Sequence, residues 1–359
     1  MFTERMSVGL DVHARSVVAA AIDTTTGELF RERLVPSNEI VLDWLRRLPG
    51  PVAVAYEAGP TGFGLARAVA AAGIRCEVAA PSKLSRPGGD RVKTDARDAL
   101  HLARLLRNDD LTSVRVPTVT QEAARDLVRA REDVRGDLMR ARHRVSKLLL
   151  RHGQVYYGGQ TWSVRHHAWL HRIRFDELGT QTAYEADLEA IEFAVARRDR
   201  LDELIAQIAA DSEFTPVTRR LCCLRGISTL TGFALAVELG EWHRFTASSI
   251  GAYLGLVPAE HSSGQTRRQG GITKTGNSHA RRLLIETAWH HKPRYVVGPV
   301  LQARWKQAPE AARVRAHAGN IRLNQRWAGY VRRHKKHTVA NTAIARELAG
   351  WCWSLAVLE

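Results

Sequence analysis

Residues 7–36, SVGLDVHARSVVAAAIDTTTGELFRERLVP, contain three strand patterns before any helical pattern begins. Short apolar runs predict strands over 7–12, 17–23 and 28–36, and the TTTG sequence predicts a turn between the last two. An open, doubly wound sheet would begin with a strand, a helix and a second strand. Three strands in succession instead predict a set joined by hairpins at the start of the sheet.

After these strands, helical and strand patterns alternate. NEIVLDWLRRL (38–48) has helical spacing and begins with Asn, which favours a helix start. The apolar runs PVAVAYEAG (51–59) and CEVAAP (76–81) predict buried strands, and GFGLARAVAAAG (62–73) between them predicts a helix. Three hairpin-connected strands followed by alternating helices and parallel strands are the order of an RNase H-like α/β domain, predicted here for residues 1–115.

Two long helical patterns then predict a connector over residues 116–215. Apolar residues recur at spacings of three, four and seven over 121–153, and a second apolar stripe extends over 182–211. The pair predicts an antiparallel coiled-coil hairpin or a dimer seam, with a simple spacer as the alternative. Between them, residues 156–175 contain aromatic side chains that either stack on bases or pack the hairpin, namely Trp162, His166, His167 and Trp169.

Residues 216–359 are predicted to form a mostly helical third domain. LCCLRGISTLTGFALAVELG (221–240) predicts a helix, a turn at Arg225 and Gly226, and a second helix. Backbone N–H groups of such a helix-hairpin-helix can hold a DNA phosphate, although short helical hairpins also occur as plain packing units. The basic, aromatic sequence IRLNQRWAGYVRRHKKH (321–337) suits a nucleic-acid backbone, and a solvated basic helix face explains it almost as well.

The charge of the chain indicates a polyanionic partner. Its 359 residues include 53 Lys and Arg against 37 Asp and Glu, which gives a formal charge of +16 and a pI near 10.3. Cations placed near phosphates release condensed counterions, which favours nucleic acid over the alternative of a solvated charged face. The sequence contains no pattern of a secretory signal, no apolar run of the ~20 residues that cross a bilayer and no C-x-x-C pair. We therefore expect a bacterial cytoplasmic protein associated with the nucleoid and not with membranes.

Four carboxylates occur where the predicted sheet would bring them together. Asp11 lies in the first strand, Glu57 ends the fourth, and Asp95 and Asp98 are three apart on one predicted helix. Buried carboxylates are costly unless paired or metal-bound, and Mg²⁺ takes carboxylate oxygens while leaving room for phosphate and water. This order predicts a catalytic Mg²⁺ site, with Mn²⁺ as a substitute. Lys93, just before the helix, is expected to meet the scissile phosphate unless it is a plain exposed lysine.

A second candidate centre lies in AYLGLVPAEHSSGQTRRQGGITKTGNSHARRLLIETAW (252–289). Ser262, Ser263 and Gly264 are predicted to occupy a polar, glycine-rich loop between two helices. A serine hydroxyl is a weak nucleophile that needs a base or a metal-polarised phosphate, so spacing alone favours a flexible loop. Nearby cations are expected to contact nucleic acid and to stabilise transition-state charge; they are Arg267, Arg268, Lys274, Arg281 and Arg282.

These segments together resemble a known family. The acid order ending in KTDARDA (93–99), the LRGIS…AVELG hairpin and the block GLVPAEHSSGQTRRQGGITKTGN…ARRLL are similar to the IS110/IS1111 family of insertion-sequence transposases, which are related to the Piv DNA invertases. The resemblance extends from residue 7 to about residue 292. It implies a RuvC-like N-terminal domain and a C-terminal transposase domain with a nucleophilic serine. The family's DEDD tetrad maps onto Asp11, Glu57, Asp95 and Asp98, and its serine onto Ser263, with Ser262 as the adjacent alternative.

The resemblance also implies a reaction and its partners. Donor and target DNA would be cleaved and rejoined through a transient phosphoserine link, assisted by the metal-bound tetrad of the other domain. A structured guide RNA would pair with both DNAs, and the predicted connector favours a homo-oligomer, either a dimer or a tetramer. Two rival hypotheses remain: a metal-dependent nuclease or junction resolvase that uses water, and a nucleic-acid-binding protein without catalysis.

Overall fold

The computed structural model describes residues 4–84, 94–263 and 266–358, without the side chains of His261, Ser263 and Arg267. The chain divides into two compact units, Met1–Thr118 and Val119–Glu359. The first unit is mixed α/β and the second is mostly helical, as the sequence predicts. Among the described residues, no helix is long and apolar enough to span a membrane.

The first unit contains one five-stranded sheet in the order β3-β2-β1-β4-β5. The pairs β1–β2 and β2–β3 are antiparallel, whereas β1–β4 and β4–β5 are parallel. This arrangement confirms the predicted set of three hairpin-connected strands followed by two parallel ones. The elements are β1 (Met6–Val12), β2 (Val17–Asp23), β3 (Leu29–Leu34), α1 (Asn38–Arg47), β4 (Val52–Glu57), α2 (Gly64–Ala71), β5 (Arg75–Ala79) and α3 (Asp95–Arg107).

The two faces of this sheet pack against different helices, because alternate residues of a strand point to opposite sides. Val8 and Leu10 of β1 and Tyr56 of β4 are buried in the core shared with α1 and α2. Ala55 of β4 lies on the opposite face and packs with Leu106 of α3. The sheet therefore lies between α1 and α2 on one side and α3 on the other.

Gly9 of β1 lies on the α3 side, where no side chain would fit. A Cβ at this position would overlap the backbone oxygen of Ala99 and lie 2.5 Å from the backbone nitrogen of Ala103. Both alanines are fully buried. Small residues on both elements thus allow α3 to pack backbone to backbone against β1.

The second unit contains ten α-helices and one β-hairpin among its described residues. Its elements are α4 (Val119–Arg151), α5 (Val164–Leu170), α6 (Leu178–Ala210), α7 (Thr215–Leu221), α8 (Thr229–Leu239), α9 (Ser249–Tyr253), β6 (Pro258–Ser263), β7 (Thr266–Ile272), α10 (Ser278–Ala288), α11 (Pro299–Trp305), α12 (Glu310–Arg332) and α13 (His337–Ala356).

The long helices α4 and α6 pack side by side in opposite directions. Arg131 of α4 is paired with Asp202 of α6 at 2.7 Å. Arg144, further along α4, is paired at 2.7 Å with Asp187, which comes earlier in α6. Buried apolar residues such as Val145 fill the contact between the two helices. The predicted pair of long helices is present, and its use as a dimer seam stays a prediction.

The aromatic stretch between these helices packs internally. His166 is only 5% exposed, and its ring stacks on Trp169 with centroids 5.5 Å apart. Its Nδ1 accepts a hydrogen bond of 3.0 Å from the backbone N–H of Trp162. These contacts favour packing of the hairpin over stacking on bases.

Residues 258–263 and 266–272 pair as the two strands of a β-hairpin, and the expected loop at Ser262 and Ser263 is wrong. β6 and β7 pair in antiparallel fashion from Pro258 and Ile272 to Ser263 and Thr266. Their sequences, PAEHSS and TRRQGGI, lack the apolar alternation that marks a half-buried strand. The hairpin was therefore not recognisable from periodicity.

A buried carboxylate joins α4, α8 and α10. Glu238, near the end of α8, is 1% exposed. Arg129 of α4 donates to its two oxygens at 3.0 and 2.9 Å, and Asn277 donates to Oε2 at 2.7 Å. The Nδ1 of His279 in α10 lies 3.0 Å from Oε1. Burial raises the pKa of Glu238, but the hydrogen bonds from His279, Arg129 and Asn277 outweigh burial and lower the pKa to about 2.

We predict that Glu238→Gln lowers the free energy of unfolding by about 3 kcal/mol near neutral pH, because one partner of a buried ion pair is removed. The folded-state pKa of Glu238 is lower than its ordinary value of 4.5, so its stabilising effect is complete above that value and is lost as the pH falls towards 2. Urea unfolding should therefore show a smaller difference between wild type and variant at about pH 3 than at about pH 7.

The control for this measurement is Glu213→Gln, at an exposed position of the same unit. It should change the free energy of unfolding by less than about 0.5 kcal/mol at either pH. If the free energies of unfolding of wild type and Glu238→Gln differ by the same amount at both pH values, the lowered pKa of Glu238 is contradicted.

Candidate functional site

Asp11 and Glu57 lie at the ends of neighbouring strands, on the sheet face that α3 covers. Asp11 follows Gly9 by two residues in β1, so the two residues face the same side. Leu10 pairs with Tyr56 in the parallel register of β1 and β4, which puts Glu57 level with Asp11 on the next strand. Adjacent strands are about 4.8 Å apart, so both carboxylates belong to one edge of the sheet.

Helix α3 adds two carboxylates to this edge. It begins at Asp95, and the Thr94 side chain caps the helix by accepting a hydrogen bond from the backbone N–H of Arg97. Asp95 and Asp98 both lie in the first turn. Both are close enough to raise the pKa of Asp11 through their charge. The structure thus groups Asp95 and Asp98 with Asp11, and the strand register puts Glu57 beside them.

His13 also belongs to this cluster, and sequence reasoning missed it. Its Nε2 lies 3.1 Å from Asp11 Oδ2 and 3.9 Å from Asp95 Oδ1. One ligand atom from each of these three residues lies within 4.8 Å of the others, a spacing that suits a single metal ion. The sequence DVH contained the signal, because His13 follows Asp11 by two residues and so faces the same side of an extended chain.

The electrostatics of Asp11 favour a cation at this edge. Burial raises the pKa of Asp11, and the charges of Asp95 and Asp98 raise it further, whereas His13 lowers it. A half-buried carboxylate beside two others is costly to ionise without a positive charge nearby. A divalent cation would remove this cost, and its preference for carboxylate oxygens matches the residues present.

We call the cluster of Asp11, Glu57, Asp95 and Asp98 the acidic edge. Two arginines on β3 border a cleft beside it. The cleft has a volume of about 650 Å³ and is lined by Arg31, Arg33 and Asp95 among others. Arg33 pairs with Val18, and Val18 pairs with Asp11, so these three residues form one row across the sheet. Two strand spacings separate Arg33 from Asp11, about 10 Å. Sequence reasoning missed both arginines, although their alternation in LFRERL was a signal that they share one face.

The candidate serines are the last two residues of β6 and pair with Arg267 and Thr266 of β7. Ser262 is exposed, and its Oγ donates a hydrogen bond of 2.9 Å to Glu260 Oε1. The side chain of Ser263 lies outside the described residues, as do Gly264 and Lys93. The assignment of Ser263 as nucleophile therefore stays a prediction.

Three of the arginines expected to contact nucleic acid bind protein groups. Arg225 donates to two backbone carbonyls at 2.9 Å, and Arg281 donates to two others at 3.0 and 2.7 Å. Arg282 is paired with Glu132 and Glu286. These guanidinium groups stabilise the fold, and a contact with phosphate is an untested role for them.

The remaining predicted contacts lie in turns or on exposed strand. Arg268 of β7 and Lys274 are exposed, and the side chain of Arg267 lies outside the described residues. Gly226, between α7 and α8, has φ +84° and approaches His290, whose Cβ would lie 2.8 Å from an added Cβ. Gly226 is thus required by the turn and by this contact, whatever its role towards DNA.

Comparisons with known proteins match both units of the chain. Residues 8–153 match the model of DEDD transposases of the IS110 type, described as a transposase. Residues 218–306 match the family described as transposase IS116/IS110/IS902. The first match spans the acidic edge, and the second spans the β6–β7 hairpin.

Individual relatives agree with these matches. The chain is 39% identical to "Putative transposase y4qE" of Sinorhizobium fredii, over 84% of this chain and 74% of the relative. It is 27% identical to the transposase for insertion sequence element IS1533 of Leptospira borgpetersenii, over 92% and 98%. It is 25% identical to the transposase for insertion sequence element IS1111A of Coxiella burnetii, over 60% and 59%.

We predict that Gly9→Ala separates α3 from β1 and thereby disturbs the acidic edge. The added Cβ meets backbone atoms, which cannot swing away, so the free energy of unfolding should fall by about 1–3 kcal/mol. Binding of Mn²⁺, followed by electron paramagnetic resonance, should weaken because the first turn of α3 moves relative to Asp11.

Gly64→Ala is the matched control in the same unit. Gly64 begins α2, and an added Cβ would meet no atom within 4 Å. This variant should unfold and bind Mn²⁺ as the wild type does. Wild-type stability and Mn²⁺ binding of Gly9→Ala would refute the idea that close packing at Gly9 positions the carboxylates.

Proposed function

The chain belongs to the IS116/IS110/IS902 family of transposases, and on that premise we propose that it cuts and rejoins DNA through a covalent link to Ser263. Its activity is that of an insertion-sequence transposase, and its substrate is DNA. The observation that best supports a metal-assisted reaction is the meeting of Asp11, His13 and Asp95 within 4.8 Å at the sheet edge.

We assign the first unit to the RNase H-like, RuvC-like fold. Three antiparallel strands followed by two parallel ones, in the order β3-β2-β1-β4-β5, support this assignment. The position of the acids supports it too, because Asp11 and Glu57 end central strands beneath the helix that starts at Asp95.

The DEDD transposase family implies a divalent metal, and we propose Mg²⁺ with Mn²⁺ as its substitute. Asp11, Glu57, Asp95 and Asp98 would hold it. When bound, the ion would polarise the scissile phosphate and stabilise its developing charge. His13, within hydrogen-bond distance of Asp11, would fix the orientation of that carboxylate. Arg33 would attract the DNA backbone along the same row of the sheet.

Cleavage would use the hydroxyl of Ser263 as nucleophile. The bond from Oγ to phosphorus forms while the bond from phosphorus to a sugar oxygen breaks; the Ser263 hydroxyl loses its proton, and the departing sugar oxygen gains one and leaves as a hydroxyl. A strand hydroxyl then attacks the phosphoserine, which rejoins DNA and restores the serine. Ser262 is the adjacent alternative, but its Oγ donates a hydrogen bond to Glu260.

We further propose a structured guide RNA and a homo-oligomer. The net charge of +16 supports binding of a second polyanion in addition to DNA. Exposed apolar side chains on the helix pair support self-association; they include Met139 and Leu150 of α4 and Phe193 and Leu204 of α6.

We predict a covalent protein–DNA adduct in cells that contain the gene with its native flanks. Wild type should give the adduct, and mass spectrometry should place it on the peptide that includes Ser263. Ser263→Ala and Asp11→Asn should each abolish the adduct and DNA movement, because one removes the nucleophile and the other removes a metal ligand.

Ser262→Ala is the matched control, since it removes the neighbouring hydroxyl and should retain the adduct. DNA movement by Ser263→Ala without any adduct would exclude the serine mechanism and favour the rival nuclease that uses water. Loss of the adduct in Ser262→Ala alone would move the nucleophile to that residue.

We predict that RNA from the non-coding flank of the element copurifies with the wild-type protein. Sequencing of bound RNA should show one discrete transcript, and ribonuclease treatment before the reaction should stop DNA movement. Bound RNA of random sequence, together with full activity after ribonuclease treatment, would exclude a guide.

A further inference from the structure

A large cleft lies in the second unit, and none of the groups proposed above for the chemistry lines it. It has a volume of about 1090 Å³ and lies between β7 and the helices α12 and α13. We call it the C-terminal cleft and define it by Leu256, Gly271, Arg315, Tyr330, Arg346 and Trp353. It is slightly larger than the ~300–1,000 Å³ of small-molecule sites, which suits part of an extended polymer.

Two cations in this cleft are not neutralised. Arg315 of α12 and Arg346 of α13 are exposed, and neither has an ion-pair or hydrogen-bond partner among the residues that the structure describes. Arg326, also in the cleft, is paired with Glu347 at 2.6 Å. Arg315 and Arg346 are therefore the guanidinium groups available to an anionic ligand.

Aromatic side chains form part of the same wall. Tyr330, Trp351 and Trp353 line the cleft and are partly exposed. Trp351 is held closely against α12, because a Cβ at Gly319 would lie 2.9 Å from its ring. Arg326 donates to the Tyr330 hydroxyl at 3.2 Å and fixes it. Constrained aromatic rings beside free guanidinium groups match a ligand with flat rings and negative charges.

The strand edge of the cleft has no side chain at Gly271. Its φ is not positive, and an added Cβ would meet no atom within 4 Å. Neither backbone strain nor packing requires glycine here. Because Gly271 has no side chain, the space beside the aromatic side chains of the cleft stays open.

We propose that the C-terminal cleft binds unpaired nucleotides, with bases against its aromatic side chains and phosphates at Arg315 and Arg346. The proposal rests on the function proposed above, which requires a nucleic-acid substrate. Unpaired nucleotides fit better than a duplex because a duplex keeps its base faces stacked inside. The strand is either DNA or RNA, and both offer the same stacking faces and phosphates.

The test measures binding of the full-length protein to fluorescein-labelled oligo(dT), oligo(U) and a duplex by anisotropy. EDTA is present and removes divalent metal, so the proposed metal-assisted reaction at Ser263 does not take place and only reversible binding is measured. The double variant Arg315→Ala, Arg346→Ala should bind single strands at least about tenfold more weakly and lower the salt slope by about 1.4, or 0.7 for each phosphate contact. Gly271→Leu should weaken binding at least about fivefold, because it occupies the space of a stacked base.

The double variant Arg200→Ala, Lys306→Ala is the matched control. It removes the same two charges from exposed positions of the second unit that do not line the cleft. This variant should keep single-strand affinity within about twofold of wild type, since it removes only non-contacting charges. Melting temperatures of all variants show that each is folded, and the stronger of the oligo(dT) and oligo(U) signals identifies the strand.

Wild-type affinity in both cleft variants would overturn the proposal. Equal losses for duplex and single strand would also overturn it, since the cleft would then be a general basic patch. A change in sedimentation without a change in binding would make the cleft a protein interface. If the cleft variants lose single-strand binding but the wild type gives no covalent adduct, only the serine chemistry is refuted. If the adduct forms on Ser263 but the cleft variants keep wild-type binding, only the cleft proposal is refuted.

Discussion

The contact of Gly9 with α3 is the constraint on which the acidic edge depends. A helix lies this close to a strand only where both backbones lack bulky side chains, and here Gly9 meets Ala99 and Ala103. The approach sets the height of the first turn of α3 over the sheet. Asp95 consequently lies within reach of His13, which is hydrogen-bonded to Asp11. The position of the carboxylates is thus a result of packing further along the same helix.

The second unit depends on a buried ion pair in a comparable way. Glu238 would be costly to bury alone, and its hydrogen bonds compensate for lost water. Asn277 both donates to Glu238 and caps α10 by accepting from the Ala280 backbone N–H. Asn277 follows Ile272, the last residue of β7, by five positions, so this network lies close in sequence to the hairpin.

The sheet could be predicted from the sequence because its strands are contiguous apolar runs, a purely local signal. The four carboxylates could also be proposed, since their order follows the order of elements. The hairpin at Ser262 could not be predicted, because two exposed polar strands owe their form to pairing and show no apolar alternation. The partners of Arg281 and Arg282 could not be predicted either, because they are tertiary contacts. His13 is different, since its spacing from Asp11 was visible and the side chain was overlooked.

Tertiary pairing also decides where a basic chain can bind a polyanion. A net charge of +16 states how much positive charge is in excess, but not which side chains provide it. Arg129 of α4 is held by Glu238 of α8, and Arg131 and Arg144 are held by carboxylates of α6. This arginine-rich segment therefore contributes less free charge than its sequence suggests. Arg315 and Arg346, by contrast, lack ion-pair and hydrogen-bond partners among the described residues. Availability of the guanidinium group, more than local charge density, therefore identifies the surface that nucleic acid can use.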